Sequence, residues 1–266
     1  MAPVTPLTSS LLIGDVSTMA LLWLGTSMLL ASVVRALTGW AFSIIAVPML
    51  SLVFPPDQAV VLNILLALAA TLKNVPTMRG HISRRIFLPL LFSGLIGTPT
   101  GYWLHTMVGD AGLRLVMGLL VLALSAAMLL ILPRPRALTL PALALAGLAS
   151  GVLGGAVGIA GPPVVLLFML TATDMSQARA TLALGLLTVC LLAGCAYLFG
   201  GHITPPVLLL FALALPVVLL GDTLGNRLFA RYGGHAARRN MPRCWPPPTS
   251  ARSPPPASTT RGCGSW

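Results

Sequence analysis

Residues 147–167 read GLASGVLGGAVGIAGPPVVLL, an apolar run that six glycines and two adjacent prolines interrupt. A soluble core helix would not carry so many residues that lower helix stability. A membrane helix can, when the freed backbone groups line a cavity enclosed by protein. The prolines suit the first turn of a new helix, where backbone N–H groups have no partner anyway. The pattern therefore predicts one helix that ends near Gly158 and a second that begins near Pro162.

Two interpretations of this break stay open at the level of sequence. The N–H groups at the start of the second helix carry the positive end of its dipole, and they would form an anion site at membrane depth. Alternatively, the small residues only allow two helices to pack closely.

The composition indicates a polytopic helical membrane protein. Of the 266 residues, 56% are hydrophobic and only 8% are charged, whereas a soluble domain carries about a quarter charged residues. The long apolar runs do not alternate with polar residues, which excludes a transmembrane barrel. The chain has no glutamate, which argues against a proton pump built on buried glutamates. The net charge of +11 comes from basic residues between the apolar runs and in the tail, where they act as topology signals rather than as nucleic-acid contacts.

The sequence shows no constellation typical of an enzyme. We recognise no Ser-His-Asp arrangement, no metal cluster and no zinc or redox spacing among the four cysteines. We therefore expect neither catalysis nor a cofactor or metal site. We also expect no cleaved signal peptide, because no lysine or arginine precedes Arg35.

The apolar runs divide the chain into two halves and a tail. They cover residues 16–37, 40–54, 58–72, 86–107, 113–132, 142–170, 179–200 and 207–229. The expected units are an N-terminal lead, a first transmembrane repeat, a connector, an incomplete second repeat and a disordered tail, at 1–15, 16–132, 133–141, 142–230 and 231–266. The tail is rich in proline, arginine and serine. A shifted reading frame that replaced a final helix accounts for it better than a basic arm for anionic lipid.

An internal repeat underlies this division. Four motifs recur in the same order at a spacing of 119 to 124 residues. The pairs are Gly39-Trp40-Ala41 with Gly158-Ile159-Ala160, Gln58-Ala59 with Gln177-Ala178, Gly80-His81-Ile82 with Gly201-His202-Ile203, and Gly97-x-x-x-Gly101 with Gly221-x-x-x-Gly225. The expected fold is thus an all-α bundle of two homologous repeats with broken helices and a missing final helix. The matching histidine turns favour a structural role over proton coupling.

These residues resemble the TauE/SafE sulfite exporter family. The resemblance rests on residues 147–167, on residues 37–50 with their Val47-Pro48, and on the Gln-Ala and Gly-His-Ile motifs that follow each. It covers roughly residues 16–230. It implies a multi-pass carrier of the bacterial inner membrane that exports small sulfur-containing anions such as sulfite or organosulfonates. An inactive remnant of such a carrier, a membrane enzyme and a non-transport assembly protein are the alternatives, and the oligomeric state stays open.

Carriers with two repeats hold substrate near the midplane, where their broken helices meet. The candidate substrate-binding residues are accordingly Arg35, Thr38, Gly39, Ser43, Asn63, Gly158, Gly161, Pro162 and Thr181. Arg35 either holds the anion or snorkels to the interface. Asn63 and Thr181 either face the site or form hydrogen bonds between helices. Asp222 is expected to pair with Arg227 near a helix end.

The basic residues also predict the topology. Residues 73–85 form the most basic short loop, which is expected to be cytoplasmic. If each break is a hairpin that returns to its starting side, then Arg179, Arg227 and Arg231 fall inside; if each break spans the membrane once, all three fall outside. We therefore expect inverted halves with turns 55–57, 108–112 and 201–206 outside, and parallel halves remain the alternative.

Overall fold

The computed structural model describes residues 18–78, 84–130, 139–170 and 175–228. Within these ranges it contains nine helices and no strand. The helices are α1 Thr18–Thr38, α2 Phe42–Ser51, α3 Pro56–Met78, α4 Arg84–Met107, α5 Asp110–Leu130, α6 Leu140–Val157, α7 Gly161–Met169, α8 Met175–Phe199 and α9 Pro205–Leu228. The all-helical class expected from the sequence is confirmed, and the predictions for residues 1–15 and 231–266 concern residues outside the described ranges.

The helices carry their apolar side chains outward as well as inward. Five of those in the described part are long and apolar enough to cross a membrane, namely α1, α3, α6, α8 and α9. Large hydrophobic side chains such as Met19, Leu122 and Phe199 are exposed, which a bilayer explains because lipid replaces water around the bundle. The chain is thus a multi-pass membrane protein.

Two short helices are set apart from the long ones by breaks. Helix α6 ends at Val157, and Gly158 adopts a left-handed conformation with φ 72° that directs the chain away from the helix axis. Helix α7 then begins at Gly161 with prolines in its first turn. The earlier break lies between α1 and α2, where Gly39 has φ 91°. The division of residues 147–167 therefore follows the glycines and prolines as predicted.

Each short helix packs beside the helix that precedes it. In the first half, the Trp23 indole Nε1–H of α1 donates a hydrogen bond to Met49 O of α2 at 2.8 Å. Residue 23 lies near the start of α1 and residue 49 near the end of α2, so α2 runs back along α1. In the second half, the Ser150 hydroxyl of α6 donates to Ala160 O at 2.5 Å, immediately before α7 begins.

The first long helix of each half packs on a late helix of the other half. Helix α6 lies against α4, and α1 lies against α9, while α3 and α8 pack together between them. Each of these two outer pairs buries a G-x-x-x-G motif: Gly97 and Gly101 face α6, and Gly221 and Gly225 face α1. This exchange of partners buries the break at Gly158, whereas the first break begins with exposed residues at Thr38 and Gly39 and becomes buried at Ala41.

Candidate functional site

The two breaks meet around the side chain of Asn63, on α3. This side chain is fully buried, and its Nδ2 donates to Gly158 O at 2.9 Å and to Ser43 Oγ at 3.2 Å. Gly158 directly follows α6, the first helix of the second half, whereas Ser43 lies in the first turn of α2. One amide therefore joins the breaks of both halves, and of the two roles expected for Asn63 the interhelical hydrogen bond is present.

A tryptophan of the first break covers the start of the short helix in the second. A Cβ added at Gly161 would lie 3.4 Å from a ring carbon of Trp40 and 3.6 Å from its carbonyl oxygen. Pro162 and Pro163 have no N–H to offer, so among residues 161–163 the free donor of this first turn comes from Gly161. The first turn of α2 contains no proline and keeps its full set of N–H donors.

Two polar atoms near the breaks are buried and have no hydrogen-bond partner among the described residues. They are Asn63 Oδ1 and Thr181 Oγ1, and both residues are 0% exposed. Thr181 lines a narrow cleft together with Ser150, Val164 and other residues of α4, α6, α7 and α8. A buried polar atom without a partner carries a free-energy penalty, which a ligand or water would remove.

Thr38 and Gly39 lie at the exposed edge of the first break. The Thr38 hydroxyl donates to Val34 O at 2.9 Å and accepts the Ala41 N–H at 3.2 Å. These two hydrogen bonds of the Thr38 hydroxyl stabilise the chain reversal before α2. The role of both residues toward a substrate stays a prediction.

Arg35 is engaged in an ion pair with the last long helix. Its Nη1 lies 3.3 Å from Asp222 Oδ1, and its Nη2 donates to Thr71 Oγ1 at 3.1 Å. Asp222 also receives Asn74 Nδ2 at 3.0 Å and lies 3.7 Å from Lys73 Nζ. Among the described residues its ionic partners are therefore Arg35 and Lys73, and the pairing with Arg227 expected from the sequence was wrong. A substrate anion at Arg35 would have to compete with this carboxylate.

A second polar cluster lies at the end of α6 that faces the break. His105 of α4 contacts Ala156 O through Nδ1 at 2.7 Å and Asp57 Oδ1 through Nε2 at 3.0 Å. His202 Nδ1 lies 3.0 Å from the same oxygen, and the Tyr197 hydroxyl donates to Gly155 O at 2.9 Å.

Sequence reasoning missed this cluster apart from His202, which the repeat had marked as a turn residue. Asp57 reads as part of a proline turn, and His105 belongs to no motif. His81, the other marked histidine, lies outside the described residues. In the part of the chain that the structure describes, no group of three ligands has the geometry of a metal site.

The fold is that of a polytopic membrane protein built like a carrier. It combines apolar outer helices, two helix breaks and polar side chains that lie between those breaks. The sequence profile of the sulfite exporter TauE/SafE family matches residues 24–241, which is well over half of the chain. The chain belongs to this family and is a membrane transport protein. No curated protein and no solved structure matches it.

Proposed function

We propose that this protein is a secondary carrier of the bacterial inner membrane that exports small sulfur-containing anions, sulfite or an organosulfonate. The anion would bind where the breaks meet, between the first turns of α2 and α7. The contact that carries this proposal is the buried Asn63 amide, which bonds to Gly158 O and Ser43 Oγ at once. Both Nδ2 hydrogens are used in these bonds, so Asn63 holds the two breaks together, and the N–H groups of the two helix N-termini would supply the donors and the positive dipole ends that a small anion needs.

The residues around the breaks support a site for a small ligand rather than a large one. Gly158 and Gly161 both lie buried, with Asn63 and Trp40 in contact range of any Cβ placed on them. Helix N-termini that point at an anionic group from two broken helices are a recurrent arrangement in secondary carriers. In this proposal Arg35 does not bind the anion tightly but sets the charge near it through Asp222.

We also propose that the two halves are inverted repeats. The symmetric exchange of partners, α1 with α9 and α4 with α6, supports this arrangement. So does the 3.0 Å contact between Asp57 and His202, which brings turns 55–57 and 201–206 to one end of the bundle. Parallel halves would place these turns on opposite sides of the membrane.

Sulfite flux into liposomes that contain the purified protein tests the carrier function. We expect flux above that of empty vesicles, and we expect Asn63→Ala to remove it. Asn226→Ala on the exposed end of α9 is the matched control and keeps wild-type flux. Wild-type protein that moves neither sulfite nor isethionate would refute the carrier function, and full flux in Asn63→Ala would refute the site.

Two further substitutions locate the anion. Gly161→Leu is expected to abolish flux, because the Trp40 ring leaves no room for a larger side chain, while membrane insertion persists. Arg35→Ala is expected to lower the apparent affinity for sulfite more than Arg114→Ala, which removes an exposed arginine of α5. Equal effects of the two arginine substitutions would rule out an influence of Arg35 on the anion.

Cysteine labelling from the outside tests the topology in a background without native cysteines. Single cysteines at Gly109 and Pro205 should both react with a membrane-impermeant reagent, and a cysteine at Asp174 should not. Reaction at Asp174 without reaction at Pro205 would establish parallel halves.

A further inference from the structure

We propose that Asp57, His105 and His202 form a proton-binding site that couples anion export to proton movement. This inference rests on the proposed carrier function and deepens it by naming the coupling ion. The three side chains come from the start of α3, the end of α4 and the turn between α8 and α9. Asp57 Oδ1 lies 3.0 Å from His105 Nε2 and 3.0 Å from His202 Nδ1.

The hydrogen bonds of His105 require one more proton than a neutral imidazole and a carboxylate hold between them. Ala156 O can only accept, so His105 Nδ1 must carry a hydrogen and donate it across the 2.7 Å contact. In a neutral imidazole the Nε2 atom would then present a lone pair to the Asp57 oxygen. The contact is favourable only if His105 is an imidazolium or Asp57 is a carboxylic acid. In both forms the pair holds one exchangeable proton.

Loss of this proton would act directly on the helix break. With the proton gone, a lone pair and a carboxylate oxygen would face each other at 3.0 Å, and the His105 ring would have to rotate or move away. The ring also holds Ala156 O, and Tyr197 holds Gly155 O, both in the last turn of α6. These are carbonyls that a helix end leaves without intrahelical partners. The next residue but one is Gly158, whose own carbonyl Asn63 holds at the proposed anion site.

The cluster connects a buried position with an exposed one. The side chain of His105 is 3% exposed, whereas those of His202 and Asp57 are 26% and 36% exposed. A proton that enters from water at Asp57 or His202 therefore reaches His105 through a single carboxylate. Such carboxylate and histidine relays within membrane proteins are a recognised device of proton-coupled transport.

Among the residues that the structure describes, the other titratable groups that face the cluster are two tyrosines. Tyr197 of α8 lies edge-on to both histidine rings, with centroids 5.1 Å from His105 and 5.5 Å from His202. Tyr102 of α4 lies edge-on to His202 at 5.9 Å. In the described part of the chain no lysine or arginine forms an ion pair with Asp57, and α6 contributes only backbone carbonyls. The two histidines are thus the groups in the described part of the chain that lie within hydrogen-bond distance of this carboxylate and can exchange a proton with it.

Two transport assays in liposomes separate this proposal from the carrier function. In the first, labelled sulfite exchanges with unlabelled sulfite at equal pH on both sides, so no net proton movement is needed. In the second, a pH gradient is imposed across the membrane in one direction and then in the other, while the membrane potential is clamped. A proton-coupled carrier accumulates sulfite inside the vesicles under one of the two gradients. Empty vesicles correct for passive entry of the protonated acid. We expect wild-type protein to perform both reactions.

The decisive variants are Asp57→Asn and His202→Gln, which keep size and hydrogen-bonding capacity. We expect both to retain exchange and to lose gradient-driven accumulation. Asp110→Asn, which removes an exposed carboxylate at the start of α5, is the matched control and should retain both reactions. Exchange without gradient-driven accumulation in the wild type would overturn the proton site and leave the carrier function standing. Absence of exchange in the wild type would overturn both.

A spectroscopic measurement on the purified protein detects the shared proton directly, so it tests the proposal even if a variant transports nothing because it folds poorly. Infrared difference spectra or 15N-imidazole spectra of the detergent-purified protein should show a proton shared between a carboxyl group and a histidine. We expect the signal to disappear in Asp57→Asn and to persist in Asp110→Asn. If His105 is a neutral imidazole beside an ionised Asp57 at all pH values that the protein tolerates, the proposal is wrong.

Discussion

The helix pairs α4–α6 and α1–α9 use the same glycine motif but differ in what they place opposite it. In α4–α6 the glycines of both helices interlock, so a Cβ at Gly101 would collide with Val152 O and a Cβ at Gly151 would lie 2.8 Å from Gly94 O. In α1–α9 the glycines of α9 face side chains: Gly221 meets Ser32 Oγ, and Gly225 meets the Ala36 methyl at 2.5 Å.

The second pair also contains a buried charge network that the first pair lacks among the described residues. Arg35 and Asp222 join α1 to α9 directly, whereas the α4–α6 contact is made of backbone and small side chains. Backbone atoms and the Ala36 methyl group cannot be repositioned without moving a helix, but the Ser32 hydroxyl can rotate about its side-chain bond. The motif of α4 therefore supports a contact fixed by backbone atoms on both sides. The motif of α9 supports a contact that includes a rotatable side chain, and the Arg35–Asp222 ion pair stabilises this contact.

Removal of the Arg35–Asp222 ion pair should have the largest effect on the free energy of unfolding. Asp222→Asn leaves Arg35 and Lys73 without their carboxylate, and loss of one partner of a buried pair costs about 3–5 kcal/mol. Thermal unfolding in detergent measures this loss. The double variant Asp222→Asn with Arg35→Met should recover part of it, and Arg227→Met at the exposed end of α9 should be silent. Equal unfolding temperatures of Asp222→Asn and the wild type would show that the network does not fasten the pair.

Substitution of a glycine in the α4–α6 contact should cause the second-largest loss of stability. Gly101→Ala places a methyl group against Val152 O and Ala156 N, and overpacking of this kind costs about 3 kcal/mol at its upper range. Gly118→Ala on α5, where a Cβ meets nothing within 4 Å, is the matched control. The same unfolding assay applies. A stable Gly101→Ala protein would contradict the fixed character of the α4–α6 contact.

The α1–α9 pair should tolerate the same change better, because a Cβ added at Gly225 meets its neighbours less closely than one added at Gly101, and it should allow repair because one of those neighbours is a methyl group that a substitution can remove. Gly225→Ala is expected to cost about 1–2 kcal/mol, because the obstruction is the Ala36 methyl in addition to Val33 O at 3.0 Å. Ala36→Gly in the same chain should restore much of the stability by removing that methyl group. Failure of Ala36→Gly to compensate would make the two helix pairs equivalent.

The smallest effect is expected from the serine that faces Gly221. Within the described part of the chain, the Ser32 hydroxyl donates to carbonyls of its own helix, at 2.7 Å to Met28 O and 2.9 Å to Leu29 O. Ser32→Ala should therefore change the free energy of unfolding by about 0.5 kcal/mol or less. A larger loss would mean that the hydroxyl, rather than the small size of the residue, holds α1 to α9.

The sequence by itself determined the membrane class, the helices to within a few residues at most ends, and the break around Gly158. These features are local: apolar length decides whether a segment suits the bilayer, and glycine and proline act on their own backbone. The resemblance to the TauE/SafE family rested on the same residues and is confirmed by the match over residues 24–241. The candidate substrate residues remain predictions, since transport alone tests them.

Tertiary structure alone decided which glycines pack and which break a helix. Gly151 and Gly155 look like Gly158 in the sequence, yet they lie inside α6 against α4. It also decided the partners of charged groups: Arg35 meets a residue 187 positions away, and His105 meets Asp57 and the carbonyl of Ala156. The physical reason is that periodicity fixes a helix and its apolar character, while the order and rotation of helices in the bundle determine which polar side chains share a buried space.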